Sequence, residues 1–446
     1  MVVVLVLLFL FGYVLIATEH VHRVDKVIPA LLMMVLAWGL LLLAPHAIAH
    51  WLNPSETSLT ALTGGTEQRI DTIQETLMHH LGKTAEILIF LIGAMTLVEL
   101  IDHFEGFKAV LPLIKTRKKY RLLWLLCTIT FFLSAIIDNL TTTLVMIAVY
   151  RKLVEHPKER LWYAGFIVIA ANAGGAWSPI GDVTTTMLWI GEKISIGPLI
   201  MKTFLPSVLC LAVPLLLARW LPVFKGPLTF TEENTLAKGK TELILGVGLF
   251  LMVPALKVLA HMPPYMGMLF VLGLFALYAE WKSNRAFNLT EFNEEHAPVS
   301  PTMRSLEKVE LPTILFFLGI LLTVAALESA GIIIHLGQSV QAAGISPAAF
   351  MGFLGLSSAI FDNVPLVAAT MGMFPYAMDH SAWHLLAYTA GTGGSILVIG
   401  SAAGVVAMGI EKIPFGWYLK HIAPLALAGY IIGYLFMLLT LYFFLE

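Results

Sequence analysis

Long apolar stretches recur along this chain and limit its fold more than any other feature. They lie at about 2–17, 27–48, 84–102, 121–150, 161–191, 196–222, 241–260, 264–281, 311–329, 345–378, 382–411 and 417–445. A helix of roughly 20 such residues crosses about 30 Å of hydrocarbon. Only 13% of the 446 residues are charged and the mean hydropathy is +0.84, whereas soluble domains carry about 25% charged residues. We therefore predict an all-α polytopic membrane protein.

The Lys and Arg residues lie mostly on one side of these stretches, which the positive-inside rule places in the cytoplasm. Loops 103–121 and 151–160 are the most basic. Segment 121–150 lies between them and is too short for two spans, so we expect a re-entrant helical hairpin. Segment 345–378, in a long region without Lys or Arg, predicts a second hairpin from the opposite face. The formal net charge of −2 argues against a nucleic-acid partner, and membrane lipid is the expected surrounding.

The two halves of the chain repeat the same motifs in the same order. SAIIDN at 134–139 corresponds to SAIFDN at 358–363, and ANAGG at 171–175 corresponds to AGTGG at 390–394. We predict two inverted-topology repeats, each with a re-entrant helical hairpin and a broken transmembrane helix, as in many secondary transporters. The predicted domains are 1–83 (N-terminal helices and an outward-facing loop), 84–222 (repeat 1), 223–310 (connecting helices and cytoplasmic linker) and 311–446 (repeat 2).

Two aspartates, Asp138 and Asp362, lie at the centres of the predicted hairpins. Each is preceded, one helical turn earlier, by a serine that shares its helix face, and each is followed by an asparagine, so each cluster offers a hydroxyl, a carboxylate and an amide oxygen. A carboxylate at mid-bilayer costs at least about 2.5–3.5 kcal/mol and therefore needs a partner or a function. Such oxygens suit hard cations, and the pattern predicts a cation site. The alternative is that each Asp-Asn pair caps a helix.

Glycine-rich interruptions at 172–182 and 392–401 divide the two predicted broken helices. Unwound backbone at membrane depth is tolerated where it is buried or faces water, and its carbonyls can point at a cation. Asp182 has no acidic counterpart in the second repeat, where Ser401 replaces it, so we expect the half-sites to differ. Asp182 could equally cap the following half-helix, and Ser395 and Ser401 could simply pack beside glycine.

A pair of histidines, His79 and His80, lies with Glu86 near the predicted outer mouth. Histidine titrates near neutral pH, so one interpretation is a pH-sensing group. The alternative is a solvated histidine pair without a role in transport.

The motifs at 134–143, 172–182 and 358–365 resemble the NhaD-type sodium/proton antiporters of the ion transporter superfamily. The resemblance implies a multi-pass protein of the bacterial inner membrane that exchanges Na⁺, and often Li⁺, for H⁺ without a cofactor. It also implies a homodimer in which a mobile domain holds both hairpins. The ion-binding and proton-coupling positions that it implies are Ser134, Asp138, Asn139, Thr141, Asn172, Asp182, Thr184, Thr185, Ser358, Asp362, Asn363, Thr392, Ser395 and Ser401. Na⁺ itself is expected at Asp138, Asn139, Asn172, Asp362 and Asn363.

Competition between Na⁺ and protons for these carboxylates would give exchange without a separate coupling device. Relatives that carry dicarboxylates usually have Ser-Asn-Thr at the hairpin tips, whereas the acids here would repel an anion. The alternatives on the same fold are a Na⁺-coupled anion symporter and an arsenite-type exporter. An enzyme is not expected, because the sequence has neither a His-Glu-x-x-His motif nor a nucleophile elbow.

Overall fold

The computed structural model describes residues 1–19, 24–48, 50–52, 59–107, 109, 116, 118–151, 153–227, 239–285 and 300–444. These parts of the chain are almost entirely helical, which confirms the predicted all-α fold. Some predicted features lie outside the described residues, namely Lys108, Lys115, Arg117 and Lys152 of the basic loops and residues 286–299 of the linker.

The N-terminal part contains three helices and a two-stranded antiparallel ladder. Its elements are α1 (Val2–Ala17), α2 (Val27–Leu43), a 3₁₀ turn (Pro45–Ala47), β1 (His50–Trp51), β2 (Thr60–Ala61) and α3 (Thr66–His103). His50 pairs with Ala61 and Trp51 with Thr60. The helix α3 is 38 residues long, about 57 Å, and so it exceeds the hydrocarbon thickness.

The first repeat region contains the first predicted hairpin and the first broken helix. Its helices are α4 (Lys119–Ser134), α5 (Asn139–Arg151), α6 (Pro157–Gly175), α7 (Val183–Ile190) and α8 (Ile196–Leu217), followed by 3₁₀ turns at Ala218–Trp220 and Pro222–Phe224. The connecting region has α9 (Lys240–Ala260), α10 (Pro264–Arg285) and α11 (Pro301–Glu307).

The second repeat region has the same order of elements. Its helices are α12 (Leu311–Ser329), α13 (Ile332–Ala342), α14 (Pro347–Ser357), α15 (Asn363–Met373), α16 (Ser381–Gly393), α17 (Ala402–Glu411), α18 (Phe415–His421) and α19 (Ala423–Phe444). Both predicted helix pairs and both predicted interruptions are therefore present. Their entry from opposite membrane faces stays a prediction.

Six helices in the described parts of the chain are long and apolar enough to cross a membrane. They are Thr66–His103, Ile196–Trp220, Lys240–Ala260, Pro264–Ser283, Leu311–Ser329 and Ala423–Leu441. The helices of the hairpins and of the broken helices are 8–19 residues long.

The start of α3 and the whole of α13 were not expected. Segment 49–83 was predicted as an outward-facing loop, but α3 begins at Thr66. Residues 66–81 contain no glycine or proline, and nothing there stops a helix. The segment is polar, so a search for apolar spans does not find it.

The two hairpins pack in equivalent ways. The first arm of each lies on the first half of its own broken helix, α4 on α6 and α14 on α16. The second arm lies on the second half of the other repeat's broken helix, α5 on α17 and α15 on α7. Glycine permits the closest approaches, because a Cβ at Gly174 would overlap the Phe131 carbonyl and one at Gly393 would overlap the Gly355 carbonyl. The ends of the half-helices are thereby brought together.

Candidate functional site

Four helix N-termini lie close together where the hairpins meet the broken helices. Each begins with a side-chain cap that accepts a backbone N–H at 2.8–3.2 Å: Asp138 from Thr141, Asp182 from Thr184, Asp362 from Val364 and Ser401 from Gly404. Capping is therefore realised at all four positions. It does not exclude ion binding, because each oxygen has a second lone pair.

These helix ends decide which sign of charge the site accepts. An N-terminus carries a partial charge of about +0.5, so four of them contribute about +2 and would attract an anion. Three carboxylates contribute −3 when ionised, which leaves about −1. When ionised, the acids at Asp138, Asp182 and Asp362 thus offset the positive partial charge of the helix ends.

A hydrogen-bonded chain of side chains joins the two repeat regions at this point. The Asn139 amide donates to Asp182 Oδ2 at 2.6 Å and to Asn172 Oδ1 at 3.2 Å. The Asn172 amide donates in turn to Ser401 Oγ at 3.0 Å. All four side chains are buried. The structure therefore brings together four of the predicted residues, three from the first repeat region and one from the second.

Asp138 lies beside this chain and lines a cavity of about 60 Å³. Its Oδ2 accepts the Thr141 hydroxyl at 2.7 Å. Asn139, Thr186 and Phe317 also line the cavity. A water molecule occupies about 30 Å³ in the liquid, so the space suits a small cation with one or two waters.

Asp362 differs from the other two acids because it has a cationic neighbour. The Lys26 ammonium lies 3.5 Å from Asp362 Oδ2, and the Asp362 carbonyl accepts the Tyr13 hydroxyl at 3.5 Å. From the sequence alone, Lys26 is one of the basic residues in the connection between the first two apolar stretches. Its position at the start of an apolar stretch is the one sequence signal that distinguishes it.

Ser134 holds the first hairpin to its broken helix, because its Oγ donates to the Ala171 carbonyl at 2.6 Å. Ser358 Oγ donates to the Gly355 carbonyl of its own helix at 2.8 Å and lies 3.3 Å from the equivalent Ala390 carbonyl. Their predicted role as ion ligands stays a prediction, although these contacts give both a structural role.

The remaining predicted hydroxyls are also buried and bonded locally. Thr184 donates to the Asp182 carboxylate and Thr185 to the Asp182 carbonyl, at 2.6 and 2.9 Å. Thr392 and Ser395 lie at the second break and donate to backbone carbonyls at 2.6 and 2.7 Å. Asn363 is buried at the start of α15. Ion ligation by these residues stays a prediction.

The described parts of the chain contain no group of three or more His, Cys, Asp or Glu side chains arranged to hold a metal ion. A transported cation would therefore rely on mixed carboxylate, amide and hydroxyl oxygens, as the sequence analysis expected.

His79 and His80 line a separate cavity of about 320 Å³ with Lys193 and Glu328. His80 Nε2 lies 3.2 Å from Ser329 Oγ. Among the described residues that line this cavity, Glu86 does not appear. The pH-sensing role stays a prediction.

Comparisons with known proteins identify the family of this chain. A family described as "CitMHS: Citrate transporter" matches residues 13–391. "Sodium/proton antiporter 1" of Arabidopsis thaliana is 45% identical over 80% of this chain, and the chain spans 62% of that relative's length. "Sodium/proton antiporter 2" of the same plant is 38% identical over 96% of this chain and 97% of its own length. "Na(+)/H(+) antiporter NhaD" of Vibrio cholerae is 32% identical over 96% and 89%.

A solved structure supports the fold. The crystal structure of the YdaH transporter of Alcanivorax borkumensis, which reveals an unusual topology, matches with a TM-score of 0.60. The match covers 93% of this chain and 98% of the other, at 10% sequence identity. At that identity the likeness concerns the fold alone.

Proposed function

Because this chain belongs to the NhaD-type sodium/proton antiporters within the CitMHS citrate transporter family, we propose that it exchanges Na⁺ for H⁺ across a membrane. The observation that carries the proposal is the set of three carboxylates at the four assembled helix N-termini. We extend the proposal to Li⁺, which is also a small hard cation that oxygen ligands accommodate.

The charge of the site favours a cation over citrate, the substrate that the family description names. Four uncompensated N-termini would bind a carboxylate substrate, as helix N-termini do in other transporters. Here Asp138, Asp182 and Asp362 occupy those N-termini and would repel it. The anion symporter remains the second candidate, because the family description names an anion.

Coupling follows from competition for the same oxygens. Na⁺ binds the ionised carboxylate, and a proton removes the charge that holds the Na⁺. Asp182 is central to this competition, because it lies within electrostatic range of both Asp138 and Asp362. If the carrier crosses only when it is loaded with Na⁺ or protonated, one ion moves outward for the other moving inward.

The proposed activity is tested by dye-monitored proton flux in reconstituted vesicles. Addition of Na⁺ should release protons from the wild-type protein, and Asp138→Asn should abolish this release. Asp71→Asn is the matched control, because Asp71 is exposed on α3 and distant in sequence from the site motifs. Normal exchange by Asp138→Asn would contradict the assignment, and substrate-dependent anion uptake would favour the symporter. Metalloid resistance without a Na⁺-dependent pH change would instead indicate the arsenite-type exporter.

We also propose a bacterial inner membrane as the location and a homodimer as the assembly. The relatives include plant as well as bacterial proteins, and they support a multi-pass membrane protein in general. Fractionation of the native cells and chemical cross-linking in lipid would test these two proposals separately.

A further inference from the structure

Lys26 occupies a fixed position at the tip of the second hairpin. It is the N-cap residue of α2, and its ammonium lies 3.5 Å from Asp362 Oδ2 and 4.3 Å from the centre of the Phe316 ring. The two charged side chains are 31% and 20% exposed. A Lys that contacts an aromatic ring and a carboxylate together is held in place more firmly than a solvated one.

The helix that carries Lys26 is itself fixed against α12. The Trp38 indole of α2 donates to the Leu322 carbonyl at 2.8 Å. Gly319 permits close contact with the Ala30 backbone. The ammonium is therefore presented to Asp362 from outside the hairpin, by a helix that neither repeat contains.

The other two acids of the site have only neutral donors. Asp138 accepts from Thr141, and Asp182 accepts from Thr184 and Asn139. Among the described residues, Asp362 is the site acid with an ion-pair partner. With Lys26 included, the net charge of the site falls from about −1 to about zero.

We propose that Lys26 is a built-in competitor that occupies Asp362 while no Na⁺ is bound and sets the Na⁺ affinity of the site. This inference rests on the proposed Na⁺/H⁺ exchange and adds a specificity-determining residue to it. A monovalent cation that binds Asp362 displaces the ammonium, because one carboxylate at the end of a helix cannot satisfy two cations equally. The site then carries a similar charge with and without bound Na⁺. This similarity limits the free-energy cost of each of the two states in a medium of low dielectric constant.

Several groups among the described residues face the pair. Tyr13 on α1 contacts the Asp362 backbone, and Asp25 accepts the Val27 N–H at the start of α2. Phe316 on α12 contributes a ring. Asp182 interacts electrostatically with Asp362, and Asp25 holds the helix end beside Lys26.

Removal of the competitor should tighten Na⁺ binding. We expect Lys26→Met to lower the apparent KM for Na⁺ about tenfold, because a nearby ammonium that is partly open to water opposes a second cation by about that factor. Lys26→Arg keeps the charge and should stay close to wild type. The matched control is Lys308→Met, which removes another Lys–carboxylate pair, the one with Glu99 at 3.2 Å; its KM should not change.

A second measurement separates competition from a structural role. In Lys26→Met a proton takes the place of the ammonium on Asp362, so the Na⁺ KM should depend more steeply on pH than in wild type. Adding Asp362→Asn should remove this extra dependence, because no carboxylate is then left for the proton. A purely structural role for Lys26 would raise KM and leave its pH dependence unchanged.

Equilibrium binding of radioactive Na⁺ to the detergent-purified protein keeps this test independent of transport. Wild-type protein without Na⁺-driven proton flux would contradict the proposed function. Unchanged or weaker Na⁺ binding by Lys26→Met, with Lys26→Arg as the reference, would overturn the role of Lys26 whether or not exchange is seen.

Discussion

The tips of the two hairpins have the same motif but different surroundings. At the first tip, Asp138 lines a small cavity and contacts neutral donors, and Asp182 stands nearby with Asn139 bonded to it. At the second tip, Asp362 contacts the Lys26 ammonium, and Ser401 occupies the place of the missing acid. Counted with two helix N-termini each, the first half-site therefore carries about −1, whereas the second, with Lys26, carries about +1.

This difference shows how a repeated fold can build one asymmetric site. The helices, the caps and the serine contacts are shared, because they assemble the N-termini. The charges differ between the two half-sites. Under the proposed exchange, the first half-site would release the proton as Na⁺ arrives, and the second would adjust the affinity for Na⁺.

The largest effects are expected at the acids of the first half-site, Asp182 and Asp138. Asp182→Asn keeps an oxygen that can accept from Asn139 but removes the charge, so Na⁺-driven proton flux should fall more than about 100-fold, or about 2.7 kcal/mol. Vesicle flux with purified protein measures it. Flux within threefold of wild type would show that the acid of the first half-site is dispensable.

Asp362→Asn should have a smaller effect, about tenfold on the Na⁺ KM. The substitution leaves the Lys26 ammonium without its partner, so part of the loss is repulsion of the incoming cation. Lys26→Met in the same chain should recover part of it. If the double variant were worse than Asp362→Asn, the two half-sites would not differ as described.

Ser401→Ala should be milder still. It removes the cap of α17 and the acceptor for the Asn172 amide, and caps contribute about 1 kcal/mol. The Na⁺ KM should rise a few-fold at constant pH dependence. A loss of proton flux as large as that of Asp182→Asn would instead show that Ser401 matters as much for exchange as Asp182.

The smallest effects are expected for Ser134→Ala and Ser358→Ala. Ser134→Ala removes the hydrogen bond between the first hairpin and its broken helix, about 1 kcal/mol, whereas Ser358→Ala removes mainly a bond within α14 and should cost no more than that. Thermal unfolding in detergent measures the loss, with Ser339→Ala on α13 as the control for a local hydroxyl. Loss of exchange in only one of the two variants would assign that serine to the ion.

The sequence predicted the assembly of helix ends better than their charges. Segment 121–150 contains one break, which the structure has between Ser134 and Asn139, because Asp-Asn is a strong helix-start signal within an apolar run. The Lys26–Asp362 contact could not be predicted in this way. It joins distant parts of the chain through the packing of α2 on α12, and no local pattern encodes such packing.

The start of α3 shows the same limit in another form. Residues 66–83 are helical because the backbone permits it and because α3 continues into an apolar span. A search by hydropathy alone registers only that these residues are polar. The helical period of residues within this polar segment would have predicted the helix. The role of the cavity lined by His79 and His80 depends instead on contacts with α12.

The central claim is that Na⁺ and protons compete for carboxylates at the assembled helix N-termini. The most direct measurement is the apparent KM for Na⁺ in vesicle proton flux, titrated with Na⁺, Li⁺ and K⁺ at several pH values. As pH falls, protons should occupy the carboxylates and raise the Na⁺ KM about tenfold per pH unit for each competing proton, with little change in the maximal rate at saturating Na⁺. A Na⁺ KM that stays constant across the pH range, while the rate alone changes, would contradict competition at these acids.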